Sequence, residues 1–206
     1  MPRHFTLILF TYHWELSAQE FETMRNLLLR MMSVLLCVLA TRAEVLPVED
    51  FNVTKVAGKW YMTAFATNAA WYVNNKDALK IGTAMFEPTE AGDLHMSYAN
   101  LKNDGSCWRL AHLANKTDTP GRFVYISEIW KNYNDMSFVD VDYDQYALIH
   151  TIKTIHTAVD VLNNLFTRTP VISDALKQNF TQFSLDSGIS PENIVILAEN
   201  DECPQN

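Results

Sequence analysis

Gly58-Lys59-Trp60-Tyr61-Met62-Thr63-Ala64, approached through Asp50-Phe51-Asn52, is the stretch on which the reading of this chain turns. A glycine follows an asparagine-bearing turn, and a Trp and a Tyr then open an extended run. Trp60, Met62 and Ala64 lie two apart, so a strand over 60–67 sets them on one face. Two later segments stand out in the same way. Asp142-Tyr143 precedes Gln145-Tyr146-Ala147-Leu148, and Arg168 follows a short apolar run.

Outward from that strand, short extended runs alternate with turns. Leu79 to Phe86 ends at Pro88. Leu94 to Asn100 follows Ala91-Gly92-Asp93, and Ser106 to Ala114 follows Asn103-Asp104-Gly105, a strong hairpin signal. Arg122 to Ile129 follows Pro120-Gly121. Met136 to Val141, Tyr146 to Ile152 and Val159 to Thr167 complete the set. Strands at this spacing indicate a sandwich or a barrel. The period then changes. Pro170 and Ser173 or Asp174 open a helix whose apolar stripe is Leu176, Phe180 and Phe183, and Gly188 stops it. Ile194 to Leu197 is a last short strand. No repeat or second domain is visible.

The first 43 residues read differently. Met24-Arg25-Asn26 starts a positive region. Leu27 to Leu29 and Val34 to Ala40 form an apolar run broken by Arg30, and small residues follow at Ala40 and Ala43. That is the layout of a secretory signal peptide over 24–43, cleaved after Ala40 or Ala43. The run is too short and interrupted to span a membrane. Residues 1–23 lie upstream of this pattern, with Met24 as the expected start; a retained signal anchor is the rival reading. The folded part is then one domain, 44–206.

Four of the 16 Lys+Arg (Arg3, Arg25, Arg30, Arg42) and three of the 24 Asp+Glu (Glu15, Glu20, Glu22) precede Glu44, so that domain carries net −9 against −8 for the whole chain. Such a surface repels phosphate backbones and makes nucleic acid an improbable partner. Cys37 falls in the leader, leaving Cys107 and Cys203. In an oxidising compartment the two most simply pair, a cross-link worth about 4 kcal/mol in the chain-entropy model. Three sequons begin at Asn52, Asn115 and Asn179. Asn115 is expected in a polar turn, and Asn179 inside the helix.

Together the Gly58-Lys59-Trp60-Tyr61, Asp142-Tyr143 and Arg168 segments resemble the signatures of the lipocalins. The resemblance implies an all-β fold, an eight-stranded antiparallel up-and-down barrel with one C-terminal α-helix. It makes Gly58, Trp60, Asp142, Tyr143 and Arg168 fold residues, with Trp60 plugging the closed end and Arg168 across it. Val141 departs from the pattern, where the family often carries Thr. Inward positions would form a ligand site: Met62, Ala64, Trp71, Ala84, Met96, Tyr98, Phe123, Tyr125, Met136 and Phe138. That set suits a small hydrophobic molecule such as a retinoid, fatty acid or prostanoid. The rival reading is that several of them only pack the core.

Within the family, Ala78-Leu79, the run Asp142 to Leu148, and Arg168-Thr169 are similar to the lipocalin-type prostaglandin D synthase-like group, fish type. Lys116-Thr117-Asp118-Thr119 with Gly121, Phe123 and Cys203 resembles the alpha-1-microglobulins. The first likeness implies a thiol nucleophile on the second strand, but its position falls at Gly82. The supporting hydroxyl positions fall at Met62, Ala84 and Tyr98, of which Tyr98 alone has an OH. The reactive thiol of the second family maps near Ala69. Neither thiol chemistry is therefore expected. His4, His13, His95, His112, His150 and His156 lack metal-ligand spacing, and no metal or cofactor is expected. Asp140, Asp142 and Asp144 could pair as carboxylates, but turn capping is their more ordinary role. The expectation is a secreted monomeric carrier that is not an enzyme. The alternatives are an isomerase using another residue, or a protein-interaction lipocalin acting through the loops around 71–77, with a cell-surface receptor as candidate partner.

Overall fold

A computed structural model describes residues 20–32, 45–73 and 79–204. The chain separates into two units, Met1–Glu44 and Val45–Asn206. In the first, residues 20–32 are helical and exposed. The apolar run from Val34 and the expected cleavage points at Ala40 and Ala43 lie outside the described residues. No described helix is long and apolar enough to cross a membrane.

The second unit is a closed antiparallel barrel. Its strands are β1 (Gly58–Thr67), β2 (Gly82–Pro88), β3 (Leu94–Leu101), β4 (Cys107–Lys116), β5 (Arg122–Ile126), β6 (Tyr133–Asp142), β7 (Tyr146–Ile155) and β8 (Ala158–Thr167). Each pairs with its neighbour in sequence; β8 returns to β1, and β1 also pairs with β2. Closure removes the free edges that an eight-stranded sheet would otherwise present. Only the lower half of β1, Gly58 to Met62, meets β2. Above it a ninth strand, β9 (Ile194–Ile196), pairs with Ala64 to Ala66. The β4–β5 contact is thin, two register pairs at Asn115–Val124 and Lys116–Phe123. A one-turn helix, α1 (Ala70–Val73), follows β1.

Local chemistry explains the turns and the helix. At Asn103-Asp104-Gly105 the Asp104 carboxylate accepts from the Ser106 backbone N–H at 2.9 Å and its hydroxyl at 2.6 Å, closing the β3–β4 hairpin. Helix α2 (Asp174–Asp186) is capped by Ser173, whose hydroxyl accepts from the Leu176 N–H at 3.3 Å, with Asp174 favouring the first turn.

The fold has two apolar cores. One fills the barrel and includes Trp60, Met62, Phe65, Phe86 and Phe166. The other lies outside it, where Ala64, Ala66, Leu148 and Leu165 receive Phe180 and Ile189, with Leu176 and Phe183 packed alongside. Small residues on β1 let the helix side chains approach the sheet closely.

Two sequence expectations are corrected by this geometry. Ala64 does not share the inner face with Trp60 and Met62. A bulge between Met62 and Ala64 inserts one residue against β8, so alternation resets and Phe65, not Ala64, turns inward. Asn115 is not in a turn but in β4, paired with Val124; it remains exposed, as do Asn52 and Asn179.

Candidate ligand cavity

The closed end of the barrel is locked first. Trp60 is fully buried and donates its indole N–H to the Val56 carbonyl at 2.7 Å. The Arg168 guanidinium lies 3.6 Å from the centre of the Trp60 ring. It also donates to the carbonyls of Tyr143 at 2.9 Å, Lys59 at 3.0 Å and Lys55 at 3.3 Å. Gly58 sits at φ +100°, a backbone conformation that favours glycine, and a Cβ there would only touch the guanidinium, at 3.5 Å. The Tyr143 hydroxyl accepts from the Asn52 N–H at 2.8 Å, and Asp142 accepts from Asp144 N–H at 3.1 Å and the Gln145 amide at 2.6 Å. Asp140 accepts from the Tyr146 hydroxyl at 2.9 Å. These carboxylates cap a turn and anchor a tyrosine.

Above this floor lies a cavity of about 380 Å³, within the range of small-molecule sites. Phe86 and Phe166 form its base, 5.2 Å apart, with Trp60 beneath Phe86 at 6.0 Å. Met62, Met96 and Met136 supply adaptable walls, since thioethers repack without strain. Ala84, Tyr98, Tyr125 and Trp71 also line it. Phe123 and Phe138 do not. They pack with Phe51 at 6.0 and 4.7 Å, where the segment before β1 crosses the barrel and Val48 donates to the Phe138 carbonyl. Those two are core side chains. A second cavity, about 420 Å³, lies outside the barrel beneath the tail residues Glu202 to Pro204.

Sequence alternation misses several lining groups. Phe65 is hidden by the bulge. Trp108, Leu110 and His112 recur two apart on β4 and alternate with the exposed Arg109, Ala111 and Leu113, a regular signal that could have found them. Trp130 comes from the β5–β6 connection, where no period operates. Ile149, Thr151 and Lys153 also recur two apart on β7, but that strand is buried on both faces from Ala147 to Thr151, so alternation alone does not single them out.

The polar groups of the cavity are few and neutral apart from one. Burial raises the Tyr98 hydroxyl to about 12 against the opposing Asn100 hydrogen bond, and burial alone takes Tyr125 to about 12. His112 stacks on Tyr125 at 3.9 Å, and its Nε2 is buried without a partner. Burial chiefly, then His95 and Lys153, pushes its pKa down to about 4, so it is neutral at pH 7. Among the described residues Lys153, 8% exposed, is the one cation lining the cavity, and none of them that lines it is an Asp or Glu.

Among the described residues no free thiol is available. Cys107 and Cys203 form a disulfide with Cα atoms 5.9 Å apart. Gly82 is buried, and a Cβ built there would lie 2.3 Å from the Tyr98 hydroxyl oxygen and 2.5 Å from Cζ. The Tyr98 ring occupies the space that a side chain at 82 would need. Ala69 is buried, 1% exposed. Among the described residues no group of three or more His, Cys, Asp and Glu could hold a metal.

The model of the lipocalin / cytosolic fatty-acid binding protein family matches residues 57–201, and the chain belongs to that family. It is 34% identical over 180 residues to a lipocalin of Rhinella marina, covering 87% of this chain and 98% of that one. It is 30% identical over 169 residues to the prostaglandin-H2 D-isomerase of Felis catus, covering 81% and 88%. Human lipocalin-15 is 29% identical over 180 residues, covering 87% and 96%. Among solved structures, the siderocalin Ex-FABP, described as acting through dual ligand specificities, superposes with TM-score 0.62 at 25% identity, covering 71% of this chain and 96% of that one.

Proposed function

We propose that this protein is a secreted carrier that holds one small hydrophobic molecule in the barrel and does not transform it. The observation that carries the proposal is the cavity itself, closed at one end by Trp60, walled by Met and aromatic side chains and, among the described residues, lacking any free thiol. Secretion is supported by the leader pattern and by a disulfide of the kind that persists in oxidising compartments.

The likeness to prostaglandin-H2 D-isomerases motivates a second reading, isomerase activity through another group. The chemistry opposes it. Cavity hydroxyls on Tyr98 and Tyr125 held near 12 are far weaker nucleophiles at pH 7 than a thiolate.

Titrating lipophiles against tryptophan fluorescence tests the carrier reading, because Trp71, Trp108 and Trp130 all line the cavity. Saturable quenching at micromolar affinity or tighter is expected, about −8 kcal/mol or better. Native mass spectrometry of protein purified from its source would identify the occupant. A broad panel with no saturable binding would overturn the proposal in favour of a protein-interaction role.

A further inference from the structure

Lys153 is the feature that a purely apolar carrier leaves unexplained. It sits on β7 in register with Asn134 on β6 and Asp160 on β8. Its side chain turns into the cavity, where its ammonium lies 5.6 Å from the Trp71 ring centre and 5.2 Å from that of Trp130. Both indoles are about half exposed, at 48% and 47%. The lysine therefore lies at the mouth, just below two rim aromatics, while Phe86 and Phe166 mark the floor.

The charge balance around it is one-sided. The chain is acidic overall, at −8, yet among the described residues no carboxylate lines the cavity. Asp160 lies within electrostatic reach and favours the charged amine. No ion pair reaches Lys153 among the described residues. Burial lowers its pKa, the expected response of a cation taken out of water. The Trp faces offset part of that cost, and the ammonium has no carboxylate partner among the described residues. Nearby, His112 Nε2 is buried with no hydrogen-bond partner, close enough to Lys153 to feel its charge.

We propose that Lys153 is the head-group anchor of this cavity, holding the carboxylate of an amphipathic ligand at the mouth while the ligand's apolar tail lies against Met62, Phe86 and Phe166. The inference rests on the carrier reading and narrows it from any lipophile to an acidic one. A carboxylate at Lys153 supplies the charged partner that no described residue provides, and the bond is charge-assisted. A neutral alcohol of the same length fills the same apolar volume but leaves the lysine uncompensated.

The test is a matched ligand pair, palmitic acid against hexadecanol and retinoic acid against retinol, titrated into the wild type, Lys153→Met and Lys153→Arg. The wild type is expected to prefer each acid by roughly tenfold or more, the size of a charge-assisted hydrogen bond. Lys153→Met keeps an unbranched apolar stem under Trp71 and Trp130, so it should lose the preference yet bind the alcohols as before. Lys153→Arg should retain the preference. Thermal melts of each variant check folding; if Lys153→Met does not fold, the wild-type acid-to-alcohol ratio and the Arg variant still decide. Equal affinity for acid and alcohol in the wild type overturns the anchor and leaves the carrier reading standing. Equal loss of both ligands in Lys153→Met assigns the lysine a packing role and also overturns it. Absence of binding by all four ligands defeats the anchor and the carrier reading together.

Discussion

At the scale of single residues, Gly82 and Tyr98 depend on one another. The sequence locates the missing thiol at Gly82, but only the structure shows why glycine is needed there: Tyr98 lies where a Cβ would be. Gly82→Cys alone should therefore gain no isomerase activity and should lose stability by about 1–3 kcal/mol, the usual cost of overpacking. Pairing it with Tyr98→Ser relieves the clash, so in chemical denaturation the double variant should lose less stability than the two single variants summed. The unmodified protein should convert prostaglandin H2 no faster than background; robust glutathione-dependent turnover would count against the carrier reading. His112 makes a separate, pH-dependent prediction. Its folded pKa of about 4 lies below the ordinary 6.5, so the unfolded chain takes up the proton first. Its contribution is complete above pH 6.5 and is lost as pH falls toward 4, by at most about 3 kcal/mol. His150, also lowered by burial against its Asn163 hydrogen bond, adds a slope of the same sign. His112→Gln should flatten, not abolish, the loss measured by denaturation between pH 7 and 4. An unchanged slope would show that His112 is solvated.

At the scale of elements, what could be read in advance and what could not divide along physical lines. Strand periodicity, the Ser173 cap and the Leu176-Phe180-Phe183 stripe are local signals, and they show in the sequence because each needs only its own neighbours. The bulge after Met62 is not local. It exists because β1 must serve β2, β8 and β9 at once, and nothing in Met62-Thr63-Ala64 marks it. That one inserted residue moves Ala64 to the helix-facing core and Phe65 into the cavity. Phe123 and Phe138 face inward as expected but do not reach the cavity, for a similar reason: Phe51 packs on them, from a segment with no period. The outer core then makes its own prediction. Phe180 is 1% exposed against Ala64 and Ala66, so Phe180→Ala should cost about 3–5 kcal/mol in denaturant unfolding. The cavity lies on the other side of β1, so ligand affinity per folded molecule should be unchanged. A shift in affinity would show that the two cores communicate through β1.

At the scale of the whole molecule, the barrel is held at two places far apart in sequence. One is the Trp60–Arg168 lock, which ties the start of β1 to the end of β8. The other is the tail, which crosses outside β2, β3 and β4 to the disulfide. Along that path Asn200 donates to the Leu101 carbonyl at 2.9 Å, Glu202 meets Lys59 and the Tyr61 hydroxyl at 2.6 and 2.7 Å, and Arg109 donates to the Pro204 carbonyl at 2.6 Å. The ion pair is largely exposed, and such pairs contribute little. The bridge between Cys107 and Cys203 spans 96 residues, a loop whose closure is worth about 4–5 kcal/mol in the chain-entropy model. Reduction should therefore lower the melting temperature by roughly 10–15 °C for a domain of this size. It should not remove the β signal in circular dichroism, because the barrel ladder closes through β8, β1 and β2 without the tail. The Cys107→Ser/Cys203→Ser double variant should melt where the reduced wild type does and respond no further to reductant. Ligand affinity should survive in it, since the cavity shares no residue of the tail. Two outcomes would contradict this picture: recovery of both cysteines as free thiols in non-reducing peptide mapping, or loss of the β signal on reduction, which would make the tail part of barrel closure itself.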